Sequence, residues 1–327
     1  MKSIKVTHIS KTPLVGAPGT LSKYLNTFEN IESRHFCLQE YPEALRGFFT
    51  KNSVILNFKN EILKRVFIDE LRSSDIIHIH NDLTEEAIPL LLENTIGKKF
   101  IYQTHSPFRE PPLFCYKGEA LPFNFDKKLV VAQVHPRLYP DYEFVPNVID
   151  FTPNKNLQKS IKRQLRILFS PSHKRTAGVI FSTKFSKNIV STLEKLNKRT
   201  DFEVISTDKP INPEQLKLIR YNSDISIDEI ATGGFHQVSY EALACGSIAV
   251  NNADIFSRIC FAESIKAPEL PPFYRCNDND IYEKLELLSE DRELLFKLQK
   301  KSVDYFTKYM MPKRLASMFI NKYEEIL

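Results

Sequence analysis

The sequence predicts an α/β protein built as two parallel-sheet halves in tandem. Three observations predict it. Short β-branched runs alternate with helical segments twice over, once from Ile4 to about Asp150 and again from Arg166 onward. A polar stretch carrying Lys155, Lys159, Lys162 and Arg163 separates the two series and reads as a linker. The 327 residues, 42% apolar and 26% charged, have ordinary globular composition and enough chain for two cores.

The bulk numbers narrow the function. Five cysteines (Cys37, Cys115, Cys245, Cys260, Cys276) are odd in number, widely spaced and without a CxxC. Such usage fits reduced thiols in a cytoplasmic protein, not a disulfide frame or a zinc ribbon. No apolar run approaches the ~20 residues that span a bilayer. The start, MKSIKVTHIS, has no apolar signal region and reads as a first strand. The net charge of +5 suits an anionic partner, whether a nucleotide-sugar, an acidic membrane face or DNA.

In the first half, Ile4–Ile9 is a β-branched strand that runs into a loop with Gly16 and Gly19, then a helix from Leu21 to about Phe28. Neither GxGxxG nor GxxxxGK[ST] occurs, so a dinucleotide fingerprint and a P-loop are both excluded. Gly16 is either a tight turn or a point where a ligand approaches the backbone. His35–Glu40 and Val54–Phe58 read as strands and Glu61–Leu71 as a helix. Asp75–His80 is a buried strand, Thr84 caps a helix with Glu85 and Glu86 in its first turn, and Lys99–Thr104 and Lys128–Val134 are further strands. Ligands of such sheets gather at the carboxyl ends of strands, where His80, His105 and His135 fall. His78 and His80 share one face of a strand, but no local spacing supplies a third metal ligand, so no metal is expected. Tyr142–Asp150 closes this half.

The second half opens with a strand at Arg166–Phe169 and a loop at Ser170–Gly178. A helix over Val179–Leu196, a strand over Asp201–Thr207, a helix over Pro213–Tyr221 and a strand over Asp224–Asp228 follow. Helices at Asp280–Ser289, Asp291 to about Lys308 and Pro312–Leu327 end the chain.

The most informative stretch is Asp228–Val250, DEIATGGFHQVSYEALACGSIAV. Gly233 and Gly234 lie between a strand and a helix that opens at about Phe235 or His236. The first N–H groups of that helix lack intrahelical partners and suit phosphate or sugar oxygens. Gln237 and Glu241 share a helix face, Gly246 stops the helix, and Ser247–Val250 resumes as a strand. The Glu241 carboxylate is able to accept two vicinal ribose hydroxyls, or else is simply a solvated helix glutamate.

These stretches, taken in order, resemble the GT-B glycosyltransferases, in particular the retaining family 4 group. HISKTPLVGAPGTLSKYLN is similar to that family's first strand and glycine loop, DIIHIHN and FIYQTHSP to its histidine-bearing strands, and FVPNVID to the strand entering its second domain. LRILFSPSHKR resembles the first strand and loop of that domain, and GFHQVSYEALACGSIAV its glycine–glutamate helix. The resemblance implies two Rossmann-like domains facing across a cleft: an acceptor-side domain over 1–152, a basic linker over 153–165, a nucleotide-sugar domain over 166–305, and a C-terminal helix over 306–327 returning to the first domain.

It also implies roles. Gly16, Gly233, Gly234, Phe235 and His236 would line the donor, Glu241 would hold its ribose, and Lys174 and Arg175 would neutralise the leaving diphosphate. His105 would donate to a hydroxyl of the transferred sugar. The implied enzyme is a retaining, metal-independent hexosyl- or pentosyltransferase with no cofactor, moving sugar from a nucleotide-sugar to a saccharide or glycan hydroxyl. Alternatives are hydroxylated DNA bases as acceptor, or a nucleotide-sugar-binding protein without turnover. Two positions depart from the family pattern. Gly233 stands eight residues before Glu241 where a second glutamate is usual, with Asp228-Glu229 nearby, and Ala177 stands where the loop lysine is usual, leaving Lys184 as a further cation.

Overall fold

The computed structural model describes residues 3–105, 121–133, 135–157, 164–171, 186–207, 210–231 and 233–327. The chain forms two compact units, one of Met1–Asp150 with Pro312–Leu327 and the other of Phe151–Met311.

The first unit carries strands β1 (Ile4–Ser10), β2 (Ile31–Cys37), β3 (Val54–Ile55), β4 (Ile76–His80), β5 (Lys99–Thr104), β6 (Lys127–Val131) and β7 (Glu143–Val145). They pair in the order β3-β2-β1-β4-β5-β6-β7, every pairing parallel. Helices α1 (Ala17–Leu25), α2 (Glu61–Ser73) and α3 (Ala87–Asn94) make the crossovers. A parallel sheet covered on both faces buries both sets of side chains, which is why β4, IIHIH, is buried at all five positions. Ile9, Phe36, Phe67, Ile77, Ile79, Leu91 and Tyr102 form the centre of one core. The start of α1 comes earlier than the apolar pattern predicts, because Gly16 at φ 80 turns the chain directly into the helix and Pro18 fits its first turn. Asn60 caps α2 by accepting from the Ile62 and Leu63 amides.

The last helix belongs to this unit. It packs on α1, pairs Lys322 with Glu143 next to the Lys127–Glu325 pair, and sends Tyr323 to His78 of β4 with Oη 3.1 Å from Nδ1.

The second unit carries β8 (Leu165–Phe169), α4 (Lys187–Asn197), β9 (Phe202–Ser206), α5 (Pro213–Tyr221), β10 (Ile225–Ile227), α6 (Gln237–Cys245), β11 (Ile248–Asn251), α7 (Ile255–Ser264), β12 (Tyr274–Arg275), α8 (Ile281–Glu290) and α9 (Arg292–Tyr309); α10 is the Pro312–Glu324 helix just described. The sheet order is β12-β11-β10-β8-β9, again all parallel. Its core joins Ile167, Phe169, Ile225, Ile227, Ile248 and Val250 to Leu193, Ile281 and Leu285. Helix α7 and strand β12 are absent from the sequence reading. Asp254 was the available signal for α7, since its carboxylate caps the helix at the Ser257 amide. Of the segment expected as a linker, 158–163 lie outside the described residues. The part before them is docked, with the Asn154 amide groups donating to the carbonyls of Ala244 and Cys245 at 2.9 Å.

Each strand order reverses once, between two directly paired strands. In the first sheet the reversal lies between β1 and β4, and in the second between β8 and β10. The crevice beyond the carboxyl ends of such a strand pair is where open parallel sheets bind ligands, because loops diverge there to opposite faces. Gly16 follows β1, and the Asp228–His236 loop follows β10.

Candidate functional site

In the second unit the site is built from Asp228 outward. Asp228 sits one residue past β10 and is 1% exposed. Its Oδ2 accepts from the His236 amide at 2.5 Å and from Ser239 Oγ at 2.8 Å, while Oδ1 lies 3.3 Å from His236 Nδ1. A buried carboxylate at the start of α6 complements the positive end of the helix, and it fixes the turn that precedes it. Ser239 Oγ in turn accepts from Asn251 Nδ2 at 2.9 Å, tying the helix to the end of β11.

Within that turn Gly233 has φ +79, and a Cβ there would come within 3.3 Å of Asp254 Oδ2. Its carbonyl accepts from the Asp254 amide at 2.8 Å and from Ser257 Oγ at 3.1 Å. Gly234 is buried without a positive φ. Phe235 is fully buried, with ring contacts to Tyr240, Phe261 and Phe273 at centroid distances of 5.5, 5.6 and 4.9 Å. It anchors the turn to the core. His236 is half-buried and begins the helix, so α6 opens at Gln237, one or two residues later than expected. The amides of Gln237 and Val238 have no intrahelical acceptor available to them.

One turn further, Glu241 is held at both oxygens. Oε1 accepts from Gln237 Nε2 at 2.9 Å, and Oε2 lies 3.0 Å from Arg220 Nε. Arg220, at the end of α5, is completely buried, and neither of its Nη atoms has a hydrogen-bond partner among the described residues. The carboxylate is therefore fixed in direction, with its remaining lone pairs available to hydroxyl donors. Glu229, the neighbour considered beside Gly233, is 2% exposed.

In the first unit β1 ends at Ser10, whose hydroxyl donates to the Thr12 carbonyl at 2.6 Å and pairs with His35 Nε2 at 2.8 Å. Leu14, Val15 and Gly16 then take φ values of 48, 55 and 80 in succession. Left-handed backbone at a β-branched residue costs on the order of 1–3 kcal/mol, and such strain gathers at functional loops. A Cβ on Gly16 would sit 3.4 Å from the Phe49 carbonyl oxygen.

His105 follows β5. Its amide donates to Asn81 Oδ1 at 2.6 Å, and Asn81 is itself left-handed at φ 58. The His105 ring is bonded on both sides, through Nε2 to His80 Nδ1 at 2.9 Å and to the Asn147 side chain. Burial lowers its pKa to about 3, so it is a neutral imidazole. A sugar hydroxyl at this ring would have to displace one of those partners. His135 opens a short 3-10 turn.

The sequence-derived candidates thus divide. Gly16 and His105 belong to the first unit, and Gly233, Gly234, Phe235, His236 and Glu241 to one turn and helix of the second. Lys174 and Arg175 lie outside the described residues, as do Ala177 and Lys184. Two residues escaped the sequence. Arg220 lies on the preceding helix, and nothing in the spacing links it to Glu241. His8 stands opposite His78 only through the β1–β4 register, where their rings lie 4.9 Å apart. Of the cysteines, Cys37, Cys245, Cys260 and Cys276 are buried thiols outside any disulfide. Among the described residues no helix is long and apolar enough to cross a membrane.

No family model matches the sequence, and no curated protein matches it. Solved structures do match. An alpha-glucosyltransferase in complex with UDP and a 13-mer DNA containing a HMU base aligns with TM-score 0.63 at 12% identity over 100% of both chains. The sucrose-phosphate synthase of Thermosynechococcus elongatus aligns with TM-score 0.58 at 12% identity over 99% of both. A glycosyltransferase from Rickettsia africae ESF-5 aligns with TM-score 0.61 at 14% identity over 100% of this chain and 99% of that one. At such identities the likeness establishes architecture, and the chain has the two-sheet α/β fold of the GT-B glycosyltransferases.

Proposed function

We propose that the protein is a retaining, metal-independent glycosyltransferase that draws a hexosyl or pentosyl group from a nucleoside-diphosphate sugar and places it on an acceptor hydroxyl. The observation that carries this reading is the geometry around α6, beyond the carboxyl ends of the β8–β10 pair. A buried aspartate and a left-handed glycine present an open helix N-terminus, and one turn on a carboxylate is fixed by Arg220 and Gln237. Phosphate or sugar oxygens suit the first part, and the vicinal hydroxyls of a ribose suit the second. Lys174 and Arg175 are assigned to the diphosphate, where a guanidinium forks onto two oxygens and supplies the positive charge a metal would otherwise bring. Gly16 is assigned to the donor-facing backbone and His105 to the neighbourhood of the transferred sugar. Catalysis in this scheme is positioning and charge stabilisation without a protein nucleophile.

The experiment is donor hydrolysis and transfer across a set of nucleotide-sugars, with Glu241→Gln and the Lys174→Ala/Arg175→Ala pair. Loss of donor affinity in the first and of turnover in the second is expected. Wild-type turnover in both would remove the site assignment.

The acceptor has two readings. A saccharide or glycan hydroxyl is the first. Hydroxylated bases of DNA are the second, favoured by the net charge of +5 and by the fold shared with a glucosyltransferase solved with DNA. Transfer to hydroxymethylated DNA that falls steeply with salt supports the second reading, and absence of DNA binding at low salt ends it. A protein that binds nucleotide-sugar without turnover remains the third, and measured transfer to any acceptor excludes it.

A further inference from the structure

The first unit contains a histidine cluster that the proposed sugar chemistry does not use. His8 lies on β1 and His78 and His80 on β4, with His8 opposite His78 in the parallel register. Alternate residues of one strand share a face, and so do register partners on neighbouring strands, so all three rings meet on one side of the sheet. Ring centroids are 4.9 Å apart for His8 and His78, 5.2 Å for His8 and His80, and 4.1 Å for His78 and His80. One ring nitrogen from each lies within 4.8 Å of the other two, and all three residues are fully buried.

Hydrogen bonding accounts for only part of this arrangement. A neutral imidazole offers one donor and one acceptor. His8 Nδ1 meets His80 Nε2 at 2.9 Å, and His80 Nδ1 meets His105 Nε2 at 2.9 Å, which leaves His8 Nε2 as the bare end of the chain. His78 Nδ1 meets Tyr323 Oη, and the Gln103 side chain is a weak hydrogen-bond partner of the same ring. Each such orphaned buried group costs about 1–3 kcal/mol. His8 Nε2 carries that cost in full, and an occupant bonded to it would remove it.

We propose that His8, His78 and His80 form a binding site for a late first-row transition-metal ion of the zinc type. An imidazole-only donor set suits zinc, cobalt, nickel or copper and not magnesium or calcium, which need oxygen ligands. A neutral imidazole carries one lone pair, and an ion bound here would take the place of the His8–His80 hydrogen bond. Zinc–nitrogen bonds of about 2.0–2.1 Å require ligand nitrogens roughly 3.3 Å apart, so the widest gap closes by about 1.5 Å on binding. The supporting bonds are already in place. His105 orients the ring of His80, and Tyr323 orients that of His78. Among the described residues no carboxylate joins the cluster, so affinity rests on the three imidazoles and a fourth, anionic ligand such as hydroxide. The ion would cross-link β1 to β4 and, through Tyr323, hold α10 on the sheet.

Because the site is buried, the ion enters during folding. The test therefore expresses the full, tag-free chain in zinc-depleted medium supplemented with cobalt and purifies it through chelator. One retained cobalt per chain is expected, with the visible absorption of nitrogen-ligated cobalt and a higher melting temperature than protein made without it. His8→Gln and His78→Gln should lose the cobalt, while His35→Gln should keep it, because His35 is bonded to Ser10 and Ser53 and lies outside the donor set. Wild type without retained cobalt overturns the proposal, as does equal retention in the His8 and His78 variants. If those variants fail to fold, the wild-type spectrum decides alone: thiolate charge-transfer bands would assign the ion to cysteine and reject the site.

Discussion

Arg220 Nε lies 3.0 Å from Glu241 Oε2, and that contact is the only ion pair the buried guanidinium makes among the described residues. The pair is unequal, because Arg220 is sealed in the core while Glu241 keeps a partly open side. Truncating Glu241 to alanine strands an arginine charge in the interior, which costs about 3–5 kcal/mol. Urea unfolding should show that loss for Glu241→Ala. The Arg220→Met/Glu241→Gln double variant should retain most of the wild-type stability, because no charge is left buried. Donor-affinity measurements on Glu241→Ala must be read against this destabilisation, which is why glutamine is the better functional probe.

Arg220→Met alone is expected to leave the protein folded and to weaken donor binding about tenfold, or ~1.4 kcal/mol. The carboxylate then keeps only Gln237 to direct it. Unchanged donor affinity in this variant would show that Arg220 plays a purely structural part.

Asp228 accepts two hydrogen bonds with one oxygen while lying beside His236. Asp228→Asn keeps the shape but removes the charge that complements the helix N-terminus. A stability loss of about 1–3 kcal/mol is expected, together with weaker donor binding, because the Gly233 turn loses its anchor. Differential scanning calorimetry and a nucleotide-sugar titration check the two halves of that statement.

Acid should unfold the first unit through its histidines. Burial lowers the pKa of His35 and His105 to about 3 and that of His8, His78 and His80 well below the ordinary value. Unfolded histidines protonate near pH 6.5 while these folded ones do not, so the unfolded state binds more protons below that pH. The contribution of His35 and His105 is complete above about pH 6.5 and is lost as pH falls toward 3, and His8, His78 and His80 act in the same direction. Circular dichroism against pH should show a steep loss of fold beginning below pH 6.5. His105→Gln should shift that transition to lower pH.

Two glycines separate backbone strain from packing. Gly246, at φ +71, ends α6, and a Cβ there would meet Leu157 Cδ2 at 2.6 Å and Val303 Cγ2 at 3.0 Å. Gly47 has nearly the same φ, +77, with nothing within 4 Å. Gly47→Ala should cost about 1–2 kcal/mol, the left-handed penalty alone. Gly246→Ala should cost more, because α6 must also push away the segment that docks on its end. Equal melting temperatures for the two variants would contradict this division.

The sequence by itself determined the two-sheet α/β class, the order of most strands and helices, and the turn and helix that carry Gly233 and Glu241. Those features are local, written in β-branched runs, glycine positions and helical spacing that need no distant partner. It also placed Gln237 and Glu241 on one face, since a spacing of four is a property of any helix. The tertiary structure decided what long-range pairing controls. It put Arg220 behind Glu241, closed both ring nitrogens of His105, and turned Asp228 into the cap of α6. It set His8 beside His78 and His80, a third imidazole that no spacing along the chain supplies. The physical reason is the same in each case: strand register and helix packing join residues tens of positions apart, and burial then sets their charge state.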